Sequence, residues 1–326
     1  MALQASKRQS DKRIHIGDFM RNAFVNGLLN IMERERNKGR ELTYLLTGDI
    51  GFSAFEKIRE EHPKQFMNMG LSEQNMVGVS AGMASLGKKV FVYSIIPFFL
   101  YRAFEQVRND ICYSNLPIRM VGTGAGLAYA NAGITHQPLE DLRIADALPN
   151  LTILSPSDPK EVELFMQKID SIKGPAYMRL SRNGEPMLHG EDLRIDIGKA
   201  LRLTTGDRIL IVSSGILTKV ALEVADMLNK EEKNTVEVLE IHTFKPFDHS
   251  AVISSAKGKE LVITIEDDTG ALAEKVATAL AGKEIQHFLS FKLPDEFTHV
   301  SGTTEYLFKS YGISASDIYR KIKGTI

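Results

Sequence analysis

Glu73 is the side chain whose setting in the sequence most suggests chemistry. It lies in GLSEQNMVGVSAGMASLG, residues 70–87, where a strand end passes into a helix that Ser72 can cap and Gly87 can terminate. Glu73 then falls in the first helical turn, where acids are favoured anyway, so a plain surface carboxylate is the alternative reading. The helix body is small and apolar (Gly78, Ala81, Gly82, Ala84). That suits close packing against another helix and would carry Glu73 into a buried interface. Residues 95–111, IIPFFLYRAFEQVRNDI, next set Phe98, Phe99, Tyr101 and Phe104 around a helix start, as either a flat apolar wall or an ordinary core stripe. Gly122-Thr123-Gly124-Ala125-Gly126-Leu127 ends a strand, and GITHQPLEDL places His136 just before a proline that can open a helix. A histidine on a loop after a strand stands where α/β folds bind ligands. His242, His249 and His299 read as surface or packing residues.

Positioning these groups falls to an α/β chain. The 326 residues are 43% apolar and 25% charged, enough for two successive domains. From Leu42 the runs LTYLL, FMNM, KVFVYSI, IRMVGT, LTILS and AYMRLS alternate with helical stretches, the rhythm of a doubly wound, mostly parallel sheet. The stretch from Asn183 to Arg208 is rich in glycine and charge, which divides the chain into domains at 1–186 and 208–326 joined by a linker at 187–207. A second winding follows through RILIVSS, VEVLEI and LVITIE to the helix ASDIYRKI. A formal net charge of −1 with scattered lysine and arginine gives no basic face for nucleic acid or acidic lipid. One cysteine, Cys112, excludes an intrachain disulfide framework. The polar start MALQASKRQSDKR lacks a signal-like apolar core, and no apolar run reaches the roughly 18 residues of a membrane span. A cytoplasmic protein is expected.

In order, GLSEQ, FLYRA, THQ, LPNLTI and GPAYMRLSR resemble the pyrimidine-binding domain of the transketolase family, over about Asp18 to Pro186. HTFKPFD and IEDDTGALAEKV look like that family's C-terminal domain, so the resemblance covers nearly the whole chain. It implies a thiamine-diphosphate enzyme in which Glu73 hydrogen-bonds the pyrimidine nitrogen N1′, making the cofactor's own aminopyrimidine a base. It also implies that Phe99 stacks on the pyrimidine, that Phe98 and Arg102 complete the pocket wall, and that His136 contacts the donor's oxygen or moves protons. Arg21, Ser53 and Arg182 match positions that bind a sugar phosphate, although residues of these types are also common on surfaces.

The pattern is broken in two places. The family usually has His where this chain has Gly124, and an acidic loop where it reads Asn131-Ala132-Gly133-Ile134. Ala132 replaces the Asp that reads the sugar's α-hydroxyl. A lost buried hydrogen-bond partner costs about 1–3 kcal/mol, so the substrate is expected to be a modified or deoxy sugar. Also missing is the Gly-Asp-Gly and Asn pair with which the family holds Mg²⁺ and the diphosphate; GDF at 17, GDI at 48 and GDR at 206 are lone dipeptides. The chain therefore reads as one subunit of a split transketolase, completed by an N-terminal diphosphate-binding subunit as α₂β₂, with β subunits pairing through the small-residue helix after Glu73. The β subunit of a 2-oxo acid dehydrogenase, a 1-deoxy-D-xylulose-5-phosphate synthase-like half and a non-catalytic scaffold are the competing readings.

Overall fold

The structure is a computed structural model that describes residues 19–51, 54–182 and 184–325. It contains two α/β units. The first sheet has the order β10-β5-β6-β4-β3-β1-β2, with β1 Thr43–Thr47, β2 Phe66–Asn68, β3 Lys89–Ile95, β4 Arg119–Thr123, β5 Thr152–Leu154, β6 Ala176–Leu180 and β10 Thr243–Lys245. The second has the order β12-β11-β8-β9-β7, with β7 Leu201–Arg202, β8 Ile209–Ser213, β9 Val236–Glu240, β11 Leu261–Ile265 and β12 His287–Phe291. Among the described strands every pairing is parallel except β10 with β5 and β7 with β9. The central strands β4, β6, β8 and β11 are buried along their whole length, as continuous apolar runs covered by helices on both faces require.

Two features depart from the division read in the sequence. Thr243–Lys245 of HTFKPFD forms β10, which leaves the second unit to close the first sheet antiparallel to β5. The linker is not a free tether either: the amides of Leu188 and His189 donate to Asp158, Ile195 is buried, and β7 pairs with β9. The two units share one apolar core, in which Ile96 and Phe99 lie in the same cluster as Val212, Leu239 and Phe244. Apolar burial of this kind contributes roughly 25 cal/mol per Å², so the units form one packed body.

An ionic clasp joins them as well. Arg179 on β6 donates from Nε to Asp141 at 2.9 Å and from Nη1 to Asp267, just after β11, at 2.8 Å, all within side chains no more than 2% exposed. The Tyr177 hydroxyl donates to Asp141 at 2.6 Å. Burial works against the Arg179 charge, but Asp141 and Asp267 outweigh it and hold the guanidinium protonated.

Candidate functional site

Each candidate side chain described after a strand stands at the carboxyl edge of the first sheet, where open α/β sheets bind ligands. Glu73 follows β2, Phe98 to Arg102 follow β3, Gly124 to His136 follow β4, and Arg182 follows β6. Arg21 comes from the first turn of helix Met20–Arg36.

Glu73 is the first residue of helix Glu73–Ser85 and is 1% exposed. The helix ends as the sequence indicates: Gly87 has φ +82°, its amide donates to Ala84 O, and the Lys88 amide donates to Met83 O. Its start differs, because the Ser72 hydroxyl donates to Met69 O and does not cap the helix. Of the four small residues, Ala81 and Ala84 face the core, Gly82 is exposed on the outer face, and Gly78 is half-buried, with Asp110 Oδ2 4.0 Å from where its Cβ would be. Glu73 is not buried among apolar groups alone. Arg102 donates from Nη1 to its Oε2 at 3.0 Å, and the Arg102 head remains 56% exposed. Gln74 holds that turn in place by donating to Arg102 O at 3.2 Å. Close approach of Gly48 matters on the other side, since a Cβ there would lie 3.6 Å from Glu73 Oε1.

The Arg102 guanidinium lies 5.4 Å from the centroid of Phe98, whose ring meets that of His136 edge-on at 5.1 Å. His136 hydrogen-bonds Thr135 Oγ1 through Nδ1 at 2.9 Å. Its ring centroid is 5.7 Å from that of Tyr129, over which Arg182 stacks at 4.4 Å. Tyr129 and the buried Tyr93 both feel Arg182 and Arg21, so the two arginines face one locus. Burial pushes the Tyr93 hydroxyl up to about 12 despite a hydrogen bond from Thr123, and it raises Tyr129 too. Arg21 Nε is buried without a partner. A cleft of about 670 Å³ between the two units opens beside Arg182, lined also by Asn131, Ser181, Lys219 and Thr303.

The structure thus links Glu73, Arg102, Phe98, His136 and Arg182 in one line, with Arg21 alongside. It does not bring Phe99 into that line: the ring is fully buried, edge-on to Tyr177 at 5.9 Å and over Gly122. Ser53 lies outside the described residues. Pro138 precedes the helix it was expected to open, which starts at Asp141. Three residues escaped the sequence reading. Tyr129 fills the space beside Gly124, where a Cβ would come within 2.1 Å of its ring. Gln137 anchors the His136 loop by donating to Ala130 O at 3.2 Å and accepting from Thr298. Asp267 supports the glycine-rich turn through close contact with Gly126. Gln137 and Asp267 lie within THQ and IEDDTGALAEKV, motifs that gave them no role of their own, and no spacing marks Tyr129.

Two mostly parallel-sheet units with a buried helix-start carboxylate, an arginine, aromatic rings and a histidine on one sheet edge define an α/β protein with a candidate ligand site at that edge. Family models described as the transketolase pyrimidine-binding domain and the transketolase C-terminal domain match residues 20–186 and 198–318. The chain belongs to the transketolase family. It is 32% identical over 297 residues to a putative transketolase C-terminal section of Methanocaldococcus jannaschii, covering 88% of this chain and 92% of that one. A 6-deoxy-6-sulfo-D-fructose transketolase subunit of Clostridium sp. MSTE9 is 30% identical over 305 residues, covering 93% and 92%. A solved split-gene transketolase, described as an inactive β4 tetramer, superposes with a TM-score of 0.82 at 30% identity, covering 94% of this chain and 98% of that one.

Proposed function

We propose that this chain is the cofactor-activating subunit of a heteromeric, thiamine-diphosphate-dependent transketolase that moves a two-carbon ketol unit between sugar phosphates or modified sugars. Family membership implies the cofactor. The observation that carries the reading is Glu73: a carboxylate 1% exposed at a helix start, with a described hydrogen bond to one oxygen only. Its Oε1 is suited to a ring nitrogen, so the residues fit an aminopyrimidine. Thiamine diphosphate, when bound, supplies the carbon that accepts the ketol unit. Glu73 would hold the proton shared with N1′, while Arg102 fixes the carboxylate's orientation. Phe98 forms the accessible ring of the wall. A stacking role for Phe99 requires its ring to be uncovered first.

His136 lies between the Phe98 ring and Tyr129, suited to contact the donor's oxygen or move its proton. Arg182 and Arg21, with its unpartnered Nε, are suited to a phosphate or another anion at the far end of the substrate. A modified sugar is consistent with Gly124 and Ala132 and with the substrate named for the Clostridium relative. The partner would hold Mg²⁺ and the diphosphate, since this chain lacks the motif. The split-gene relative whose β tetramer is inactive supports that dependence. Pairing of two copies through the outer face of helix Glu73–Ser85 would give α₂β₂. Among the described residues no helix is long and apolar enough to cross a membrane, which is compatible with a cytoplasmic setting.

The test is reconstitution with a diphosphate-domain subunit, Mg²⁺ and thiamine diphosphate. Calorimetry should give tight cofactor binding only in the mixture. Glu73→Gln should lower ketol transfer by about 10²–10⁴-fold, the range for loss of a positioned acid–base group. An unchanged rate would remove Glu73 from the mechanism, and tight binding by this chain alone would remove the need for a partner.

A further inference from the structure

Apart from the line of residues from Glu73 to Arg182, a second polar cluster is sealed where three chain segments meet. Helix Pro159–Lys168 supplies Glu161, the linker supplies His189, and the last residue of β9 supplies Glu240. Glu161 and Glu240 are 0% exposed and the His189 side chain 6%. One ligand atom from each residue lies within 4.8 Å of the other two. His189 Nε2 is 3.0 Å from Glu240 Oε2, and its Nδ1 is 3.0 Å from Asp158 Oδ2. Asp158 is itself fixed by the amides of Glu161, Leu188 and His189, each at 2.9 Å.

The hydrogen bonding of this cluster is incomplete: His189 Nδ1, although 3.0 Å from Asp158 Oδ2, makes no hydrogen bond. Glu161 Oε2 accepts from the Ser157 amide at 2.7 Å and from its hydroxyl at 3.2 Å, but Glu161 Oε1 and Glu240 Oε1 are buried without partners. An unsatisfied buried oxygen costs about 1–3 kcal/mol, more when charged. Charge is out of balance as well. Three buried carboxyl groups face His189, with the buried His242 also in the field of Glu240, and the nearby Lys160 is engaged outward with Glu163 and Glu191. Even a protonated His189 leaves a negative excess in a dry site, where isolated charge is strongly disfavoured. A divalent cation corrects both faults at once.

We propose that Glu161, His189 and Glu240 form a buried site for a divalent transition metal of the Zn²⁺ type, which staples the first unit, the linker and the second unit together. One imidazole and two carboxylates match zinc and its neighbours, whereas Mg²⁺ and Ca²⁺ favour all-oxygen sites. Asp158, 3.0 Å from Nδ1, then serves as the carboxylate that orients the ring with Nε2 toward the metal. The two orphan oxygens are available to fill the coordination sphere. The site is separate from the Mg²⁺ assigned to the partner and is structural, since no open position faces solvent.

The full chain, prepared without metal-affinity resin, is dialysed against Zn²⁺ and then metal-free buffer, and its metal is measured by mass spectrometry. About one equivalent should remain, and the melting temperature should fall on chelation and return with Zn²⁺. Co²⁺ in place of Zn²⁺ should give the visible absorption of a low-symmetry, nitrogen-ligated ion. Glu240→Gln and His189→Gln should each weaken uptake by tenfold or more, while Glu163→Gln on the outer face should not. No retained metal and a melting temperature indifferent to chelator and Zn²⁺ would overturn the proposal. So would uptake unchanged in Glu240→Gln. If both cluster variants fail to fold, the Co²⁺ spectrum of the unaltered chain decides, because an all-oxygen spectrum would exclude His189 as a ligand.

Discussion

Gly124 stands where the resemblance leads one to expect a histidine, and the space beside it is filled. Its φ of +88° is disfavoured for a side-chain residue, and a Cβ would meet the Tyr129 ring at 2.1 Å. Restoring the histidine should therefore damage the chain. The left-handed backbone costs about 1–2 kcal/mol, and displacing the ring adds about 1–3 kcal/mol of overpacking. Gly124→His is expected to lower the urea midpoint accordingly, and adding Tyr129→Ala should recover only the steric part. A variant as stable as the parent would show that Tyr129 yields freely and does not set the pocket's shape. Glu73, His136 and Arg182 were legible because five short motifs occur in a fixed order. Tyr129 was not, since a lone tyrosine in a loop has no spacing to mark it and becomes significant only through contacts with His136, Gly124 and Arg182.

Nine of the twelve described strands could be read from apolar runs, because a strand buried on both faces must be apolar throughout, whereas β7, β10 and the exposed edge strand β12 were missed. What could not be read is where an element goes when its own pattern is weak. Thr243–Lys245 is three residues long and joins the first sheet through backbone pairing that no side-chain period records. The turn after β11 is a similar case: IEDD looks like solvated acid, but Glu266 and Asp268 are buried and accept from the first amides of helix Ala271–Leu280. Burial, reinforced by Asp268, pushes the Glu266 carboxyl from 4.5 up to about 8. The folded value lies above the unfolded one, so the neutral carboxyl's contribution is complete below about pH 4.5 and is lost as pH rises toward 8. Each unit of such a shift corresponds to about 1.4 kcal/mol, an upper bound for coupled acids. Urea midpoints between pH 5 and 8 should therefore decline more steeply for the parent chain than for Glu266→Gln. Parallel profiles would mean that Glu266 stays ionised, held by the Leu272 and Ala273 amides.

At the scale of the whole molecule, helix Glu73–Ser85 has two faces with different tasks. Met76, Val77, Ser80, Ala81 and Ala84 seat it on its own sheet. Its outer side carries Gly82, and exposed Leu71 and Leu86 flank the helix at 78% and 83%. Among the described residues no atom outside its own stretch of helix lies within 4 Å of a Cβ built on Gly82, so a side chain there costs the isolated chain nothing sterically. Replacing a helical glycine should even stabilise the fold by up to about 1 kcal/mol. Gly82→Arg consequently separates folding from assembly. If two copies meet through this face, the variant should melt at or above the parent's temperature, yet light scattering of its mixture with the diphosphate-domain subunit should show a smaller particle. Ketol transfer should fall with it, because Glu73 begins the same helix and its position would depend on the pairing. A variant that forms the full-sized assembly would place self-association elsewhere on the surface, and the small residues of this helix would then serve packing within one chain.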